Sequence, residues 1–212
     1  MEPPMVQLLD TTLKTAGDAA LNLMFAARKS VFVDLLRWNV PVRDGRHEID
    51  QFDDDHARYL ILLSDDGRHL ASTRLLPTTR PHILDTLFPK LCERDLPRAP
   101  DIFEITRFCL DRTLPAAARR GVRDQLVTAI VAHALEEGIS TYTGVAEPGW
   151  FHQISEFGWN CRQLGLPTQY EGTTLCALRI DIAPDTPRCL AGTGIWSPVA
   201  IPVARRAADA RN

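Results

Sequence analysis

The sequence predicts an α/β fold: a three-layer α/β/α sandwich on a mixed, mainly antiparallel sheet. Three observations carry that prediction. Runs rich in β-branched and aliphatic residues recur at 58–63, 69–76, 101–110, 139–146 and 173–182. Two longer stretches, 18–37 and 115–138, repeat apolar residues at the three- to four-residue spacing of a helix with one buried side. Strands and helices follow one another with no internal repeat and no second core pattern, so one domain over 1–212 is expected, with a flexible tail from about 204.

In chain order, Leu21, Met24, Ala27, Val31 and Leu35 make the first helix amphipathic, and Pro41 stops it with Trp38 at its end. Arg28 and Phe32 share a face as i,i+4 neighbours; taken alone, the pair reads as a solvated arginine above a core phenylalanine. Asp65-Asp66-Gly67 joins the strands 58–63 and 69–76 as a hairpin, with Arg74 near the end of the second. A short helix is expected over 83–91, with Phe88 on its apolar side. Pro115 suits the first turn of the long helix, whose stripe is Leu126, Ile130, Ala134 and Glu137, and Gly138 suits its C-terminal cap. A strand over 139–146 carries Thr141 and Thr143 on one face; a short helix over 149–157 and a strand over 173–182 follow.

Composition excludes several classes. A net charge of −3 argues against a nucleic-acid binder. Five cysteines without any Cys-x-x-Cys, and histidines without ligand spacing, suggest neither a disulfide framework nor a metal site. With neither a signal-like leader nor an apolar run of membrane-spanning length, a cytoplasmic protein without membrane insertion is expected.

Two segments concentrate charge where the pattern would place apolar residues. Residues 48–55 hold five carboxylates but lack the order of a calcium loop; Ile49 and Phe52 within them point to a loop packed against the protein, although an acidic solvated loop is the commoner outcome. The strand 101–110 holds Glu104 and Arg107. An offset of three puts two strand residues on opposite faces unless a bulge resets the register, so either the strand is irregular or the two charges serve different surfaces.

The element order resembles that of the GCN5-related N-acetyltransferases. Within that frame, Arg28-x-x-x-Phe32, Trp38, Glu48-x-Asp50-x-x-Asp53, Arg74, Phe88 and Glu104-x-x-Arg107 resemble the ordered signature of the acyl-homoserine-lactone synthases, the autoinducer synthases of quorum sensing. The resemblance runs from about residue 20 to 160. It implies an acetyltransferase-like fold and two substrates, S-adenosyl-L-methionine and an acyl thioester on acyl carrier protein or coenzyme A, with no permanently bound cofactor. It also implies release of 5′-methylthioadenosine. The stretch Gly144-Val-Ala-Glu-Pro-Gly-Trp150 departs from the basic and aliphatic helix of the family, so the resemblance does not fix the acyl chain.

On that reading Glu104 is the candidate base that frees the substrate amine, with Arg107 beside it, and a bulge amide would face the thioester oxygen. Asp50 and Asp53 suit the substrate's positive groups, and Arg28 or Arg107 its carboxylate. Phe32, Trp38 and Phe88 would enclose adenine or sulfonium. Alternatively Arg28, Asp50, Asp53, Arg74 and Arg107, with Glu48, pair among themselves and only shape the site. Thr141, Thr143 and Trp150, with Phe151, are candidates for the acyl pocket, or core residues in the case of the two rings. Arg119, Arg120 and Arg123 are candidates for docking an acidic carrier or a pyrophosphate. Two rivals remain: another acyltransferase of this fold using acyl-CoA, and a non-catalytic ligand-binding relative.

Overall fold

The computed structural model describes residues 7–12 and 18–197; the expected tail from about 204 lies outside them. Strands β1 (Gln7–Thr11), β4 (Arg58–Leu63), β5 (His69–Pro77), β6 (Ile102–Leu110), β7 (Thr141–Ala146), β10 (Thr173–Asp181) and β8 (Asn160–Gln163) form the main sheet in that spatial order. β9 (Thr168–Tyr170) also pairs with β10, and β2 (Val42–Arg43) with β3 (His47–Glu48) makes a small separate hairpin. The pairings of the main sheet are antiparallel except for β6 with β7.

Helices on both faces explain why β4 is apolar at every position along its inner length. Tyr59, Ile61 and Leu63 pack with Leu21, Met24 and Phe25 of α1 (Asp18–Arg28), while Leu60 and Leu62 face Leu126, Ile130 and Ala134 of α3 (Ala116–Glu137). Glu137, counted on the α3 stripe, is exposed and pairs with Arg58. Gly138 adopts φ 71° and ends α3, the left-handed cap expected of it. α4 (Pro148–Ser155) and α5 (Thr186–Gly192) join the α3 side through Ile154 and Leu190.

The sequence reading missed β1, β8, β9, the β2–β3 hairpin and α5. All are short, so none spans enough residues for a period to show. The first helix is α-helical only to Arg28; Lys29–Leu35 is π-helical. The helix expected over 83–91 is one turn, α2 (Ile83–Thr86), followed by a 3₁₀ turn at Pro89–Leu91, because Pro89 cannot continue the α-helical ladder.

Two features of the central strands position the site. Between Ser72↔Cys109 and Arg74↔Thr106, Thr73 of β5 stands opposite both Arg107 and Phe108, a β-bulge with Arg107 at φ 51°. The buried positions of β6 accordingly step from Glu104 to Thr106 and then by three to Cys109. The bulge thus turns Glu104 and Arg107 to one face, the α1 side of the sheet. Second, β6 and β7 pair only from Ile102↔Thr141 to Glu104↔Thr143, so the strands part beyond Glu104.

Candidate active site

Under the end of α1 lies a buried ionic network. Arg28, Arg74 and Arg107 meet Glu48, Asp50 and Asp53, three guanidiniums against three carboxylates. Arg28 donates through Nε to Glu48 at 2.5 Å and through both terminal nitrogens to Asp53 at 2.8 and 2.9 Å. Arg74 forks onto Asp50 at 2.6 and 3.0 Å, lies 2.9 Å from Asp53, and donates its Nε to Thr106 Oγ1 at 2.9 Å. Arg107 bonds Glu48 at 2.9 Å and Asp50 at 2.8 Å. Tyr59 adds its hydroxyl to Asp53 at 2.9 Å. That tyrosine carried no sequence signal, since an apolar strand position hides a polar atom at its tip.

Arg28 is 1% exposed, so the solvated reading of the Arg28–Phe32 pair is overturned. The same holds for half of the acidic loop. Glu48, Asp50 and Asp53 are drawn inward, Phe52 is buried beside them, and only Asp54 and Asp55 face solvent. Burial by itself would raise the Asp53 pKa, but the guanidiniums of Arg28 and Arg74 outweigh it and hold the carboxyl well below the ordinary carboxylate range.

The π-helical segment supplies the rim. Its wide turns close through Leu36 N–H to Val31 C=O at 2.9 Å, and the chain reverses at Arg37, whose φ is 61°. Trp38 is thereby laid over Phe32, ring centroids 4.7 Å apart and nearly parallel, and Arg107 lies 5.5 and 5.8 Å from the two rings. Phe32 is buried and Trp38 is 40% exposed, so an aromatic face opens outward beside the network. Phe88, grouped with these rings on the sequence, packs elsewhere: it stands edge-on to Tyr170 at 5.0 Å, between the α1 subcore and a smaller one of Leu84, Leu91 and Ala177.

Glu104 is fully buried on the same face of β6 but outside the network. Its two oxygens accept the amides of Ile83 at 2.8 Å and Leu84 at 3.0 Å, the first turn of α2. Burial pushes its pKa up to about 8; the two amides and the charge of Arg74 oppose the shift without cancelling it. Thr143 is its register neighbour on β7, while Thr141 bonds Arg179 at 3.1 Å at the strand's start. Trp150 packs against Phe108 and Phe157, ring centroids 5.7 and 6.3 Å away, and with Phe151 borders the α3-side core.

The three arginines of α3 have separate environments. Arg119 donates to the carbonyls of Arg112 and Leu114, and Arg123 pairs with Asp124 at 2.6 Å and lies over the Phe157 ring. Arg120 is exposed.

A bulged central strand that parts from its parallel neighbour, with a buried acid at the fork and a charged network edged by an outward-facing aromatic pair on the same face, defines an acyltransferase of the acetyltransferase-like fold. The chain belongs to the autoinducer synthase family, whose sequence model matches residues 12–188. It is 32% identical over 181 residues to an acyl-homoserine-lactone synthase of Ralstonia nicotianae, covering 82% of this chain and 86% of that one. With the isovaleryl-homoserine lactone synthase of Bradyrhizobium diazoefficiens it shares 29% over 184 residues, 86% of this chain and 82% of the other. The structure of a CoA-dependent acyl-homoserine lactone synthase, BjaI, with SAM and isopentyl-CoA superposes with a TM-score of 0.81 at 26% identity, covering 94% and 92% of the two chains. A protein from Lactobacillus plantarum, at 17% identity and a TM-score of 0.60 over 84% of this chain and 99% of its own, shares the fold alone.

Proposed function

We propose that this protein joins S-adenosyl-L-methionine to an acyl thioester, forming an N-acyl-L-homoserine lactone and releasing 5′-methylthioadenosine and the free thiol. The carrying observation is the β6 bulge, which brings Arg107, its network and the Phe32–Trp38 face to the side of the sheet that holds Glu104. The described residues act as one catalytic unit in the cytoplasm. Among them no helix is long and apolar enough to cross a membrane.

Two bonds form. The substrate α-amine attacks the thioester carbonyl, the C–S bond breaks, and the electron pair leaves on sulfur as the thiolate. The substrate's carboxylate then attacks its γ-carbon, the C–S⁺ bond breaks, and the lactone closes. A sulfonium leaves readily, so ring closure chiefly needs the chain folded into attack geometry. Amide formation needs a base, because only the neutral amine is nucleophilic. Glu104, its pKa pushed up to about 8 and so close to the ordinary value of an α-amine, accepts the proton directly or through one water. A bulge frees a backbone amide from the ladder, and such an amide at Arg107–Phe108 serves the developing oxyanion.

Every nitrogen of Arg28 is engaged within the protein, as are both oxygens of Asp53 and of Asp50, so these three hold the network together. Arg107, at the network's edge beside the rings, takes the substrate carboxylate, and Trp38 with Phe32 covers the adenine or sulfonium. Thr143 and Trp150 border the acyl chain, and Arg119 and Arg120 face an acidic carrier or the phosphates of coenzyme A. The test is incubation of the purified protein with S-adenosylmethionine and an acyl-CoA or acyl carrier protein. Stoichiometric lactone and 5′-methylthioadenosine are expected; simple N-acylation of another amine, with no 5′-methylthioadenosine, would defeat the reading.

A further inference from the structure

Among the described residues, two buried hydroxyls on the β7 and β9 strands stand without a partner. Thr143, beside Glu104 in the β6–β7 register, is buried with Oγ1 unbonded. On β9, Tyr170 is half-buried as a residue, yet its hydroxyl is fully enclosed and has no hydrogen-bond partner among the described residues. A phenol with an accessible flank and an enclosed oxygen points into the protein. Its ring meets Phe88 edge-on at 5.0 Å and borders the subcore of Leu84, Leu91 and Ala177, the layer between α2 and the sheet. Leu84 is also the residue whose amide holds Glu104, so phenol and carboxylate border the same packed layer.

A buried polar atom left unpaired lowers stability with no gain to the fold, and where one persists it commonly has a partner that arrives later. The layer around this one is otherwise apolar, which suits a hydrocarbon chain, and a neutral phenol suits an uncharged oxygen acceptor. We propose that Tyr170 is a binding residue for the acyl donor, its hydroxyl donating a hydrogen bond to an oxygen of the acyl group. The acceptor is the thioester carbonyl or an oxygen on the third carbon. The assignment rests on the acyl-transfer reading above: a thioester carbonyl attacked within reach of Glu104 extends its acyl chain into this layer. It names a residue outside the charged signature, with a part in choosing among acyl groups.

The test is Tyr170→Phe in the full-length protein, with isovaleryl-CoA and 3-oxohexanoyl-CoA as donors. KM for the donor is expected to rise about five- to tenfold, the loss typical of one neutral hydrogen bond, while S-adenosylmethionine affinity by calorimetry stays unchanged. A rise for both donors assigns the bond to the thioester carbonyl; a rise for the 3-oxo donor alone assigns it to the third carbon. Removing an unpaired hydroxyl is also expected to hold or raise Tm. Unchanged kinetics with both donors would overturn the proposal, and so would a lowered Tm, which would mean that the hydroxyl serves the fold. If the wild-type protein makes lactone and the variant matches it, only the Tyr170 assignment falls; if the wild type makes none, the acyl-transfer reading falls first and takes the assignment with it.

Discussion

Replacing Asp53 by asparagine tests the ionic network directly. Asp53 accepts both terminal nitrogens of Arg28, lies 2.9 Å from Arg74, and accepts the Tyr59 hydroxyl and the Asp50 amide. An amide offers one acceptor oxygen where the carboxylate offers two, and its NH₂ confronts a guanidinium. Three cations then face two anions in a region largely withdrawn from water. Leaving a buried charge uncompensated typically costs about 3–5 kcal/mol. For a chain of this length that corresponds to a Tm lower by about 6–20 °C. Asp54→Asn is the control on the same loop: its side chain is exposed and caps His56 and Ala57 through one oxygen, which asparagine retains, so a change within about 0.5 kcal/mol is expected. Thermal and urea unfolding followed by circular dichroism would measure both. Arg28→Gln combined with Asp53→Asn restores neutrality and should cost less than the sum of the single changes. Equal stability of Asp53→Asn and Asp54→Asn would refute the idea that charge balance holds this site together. The pH dependence has a definite sign. Because the folded-state pKa of Asp53 is depressed, its stabilisation is present above the ordinary carboxylate pKa of about 3.9 and is lost as pH falls through the lower folded value.

Other consequences can be measured separately. Glu104→Gln should lower lactone formation about 10²–10⁴-fold with S-adenosylmethionine affinity retained, and wild-type turnover should rise with pH through about 8 as the base ionises; a profile flat from pH 6 to 9 would remove it from that role. Since the pKa of Glu104 is raised in the folded state, the same group makes the native protein lose stability as pH climbs from the ordinary glutamate value of about 4.3 toward about 8, a slope that Glu104→Gln should remove from urea-unfolding data. Trp38→Ala, at a partly exposed position, should weaken S-adenosylmethionine binding by about 0.5–2 kcal/mol in calorimetry with little change in Tm. Arg120→Glu should raise KM for an acyl carrier protein, most strongly at low salt, and leave acyl-CoA kinetics alone if the protein uses a carrier protein; equal effects on both donors would mean that the arginine serves phosphate.

The bulge shows how far a sequence can be read. Glu104 and Arg107 lie three apart in an apolar strand, and that offset alone posed the choice between an irregular strand and two separate surfaces. The observed register takes the first alternative. The two helical stripes and the hairpin signal were legible for the same reason, since periodicity repeated over many residues leaves a pattern along the chain. The π-helical turns of Lys29–Leu35 left none. The wider turns there accompany the stacking of Trp38 on Phe32, a contact that no local spacing encodes.

What the sequence determined by itself was the fold class, the packing of α1 through Leu21 and Met24 and of α3 through Leu126, Ile130 and Ala134, and which charged residues are too many for an apolar setting; Leu35 and Glu137, counted on the same stripes, are exposed. Tertiary structure decided which of those charges meet. It withdrew Arg28 and Asp53 from solvent, moved Phe88 away from the Phe32–Trp38 pair, and set Glu104 under α2 rather than in the network. The physical reason is range. Helical and strand periods report on neighbours a few residues away, whereas the pairing of guanidiniums with carboxylates within this network, up to 59 positions apart, depends on how the sheet and α1 bring distant segments together.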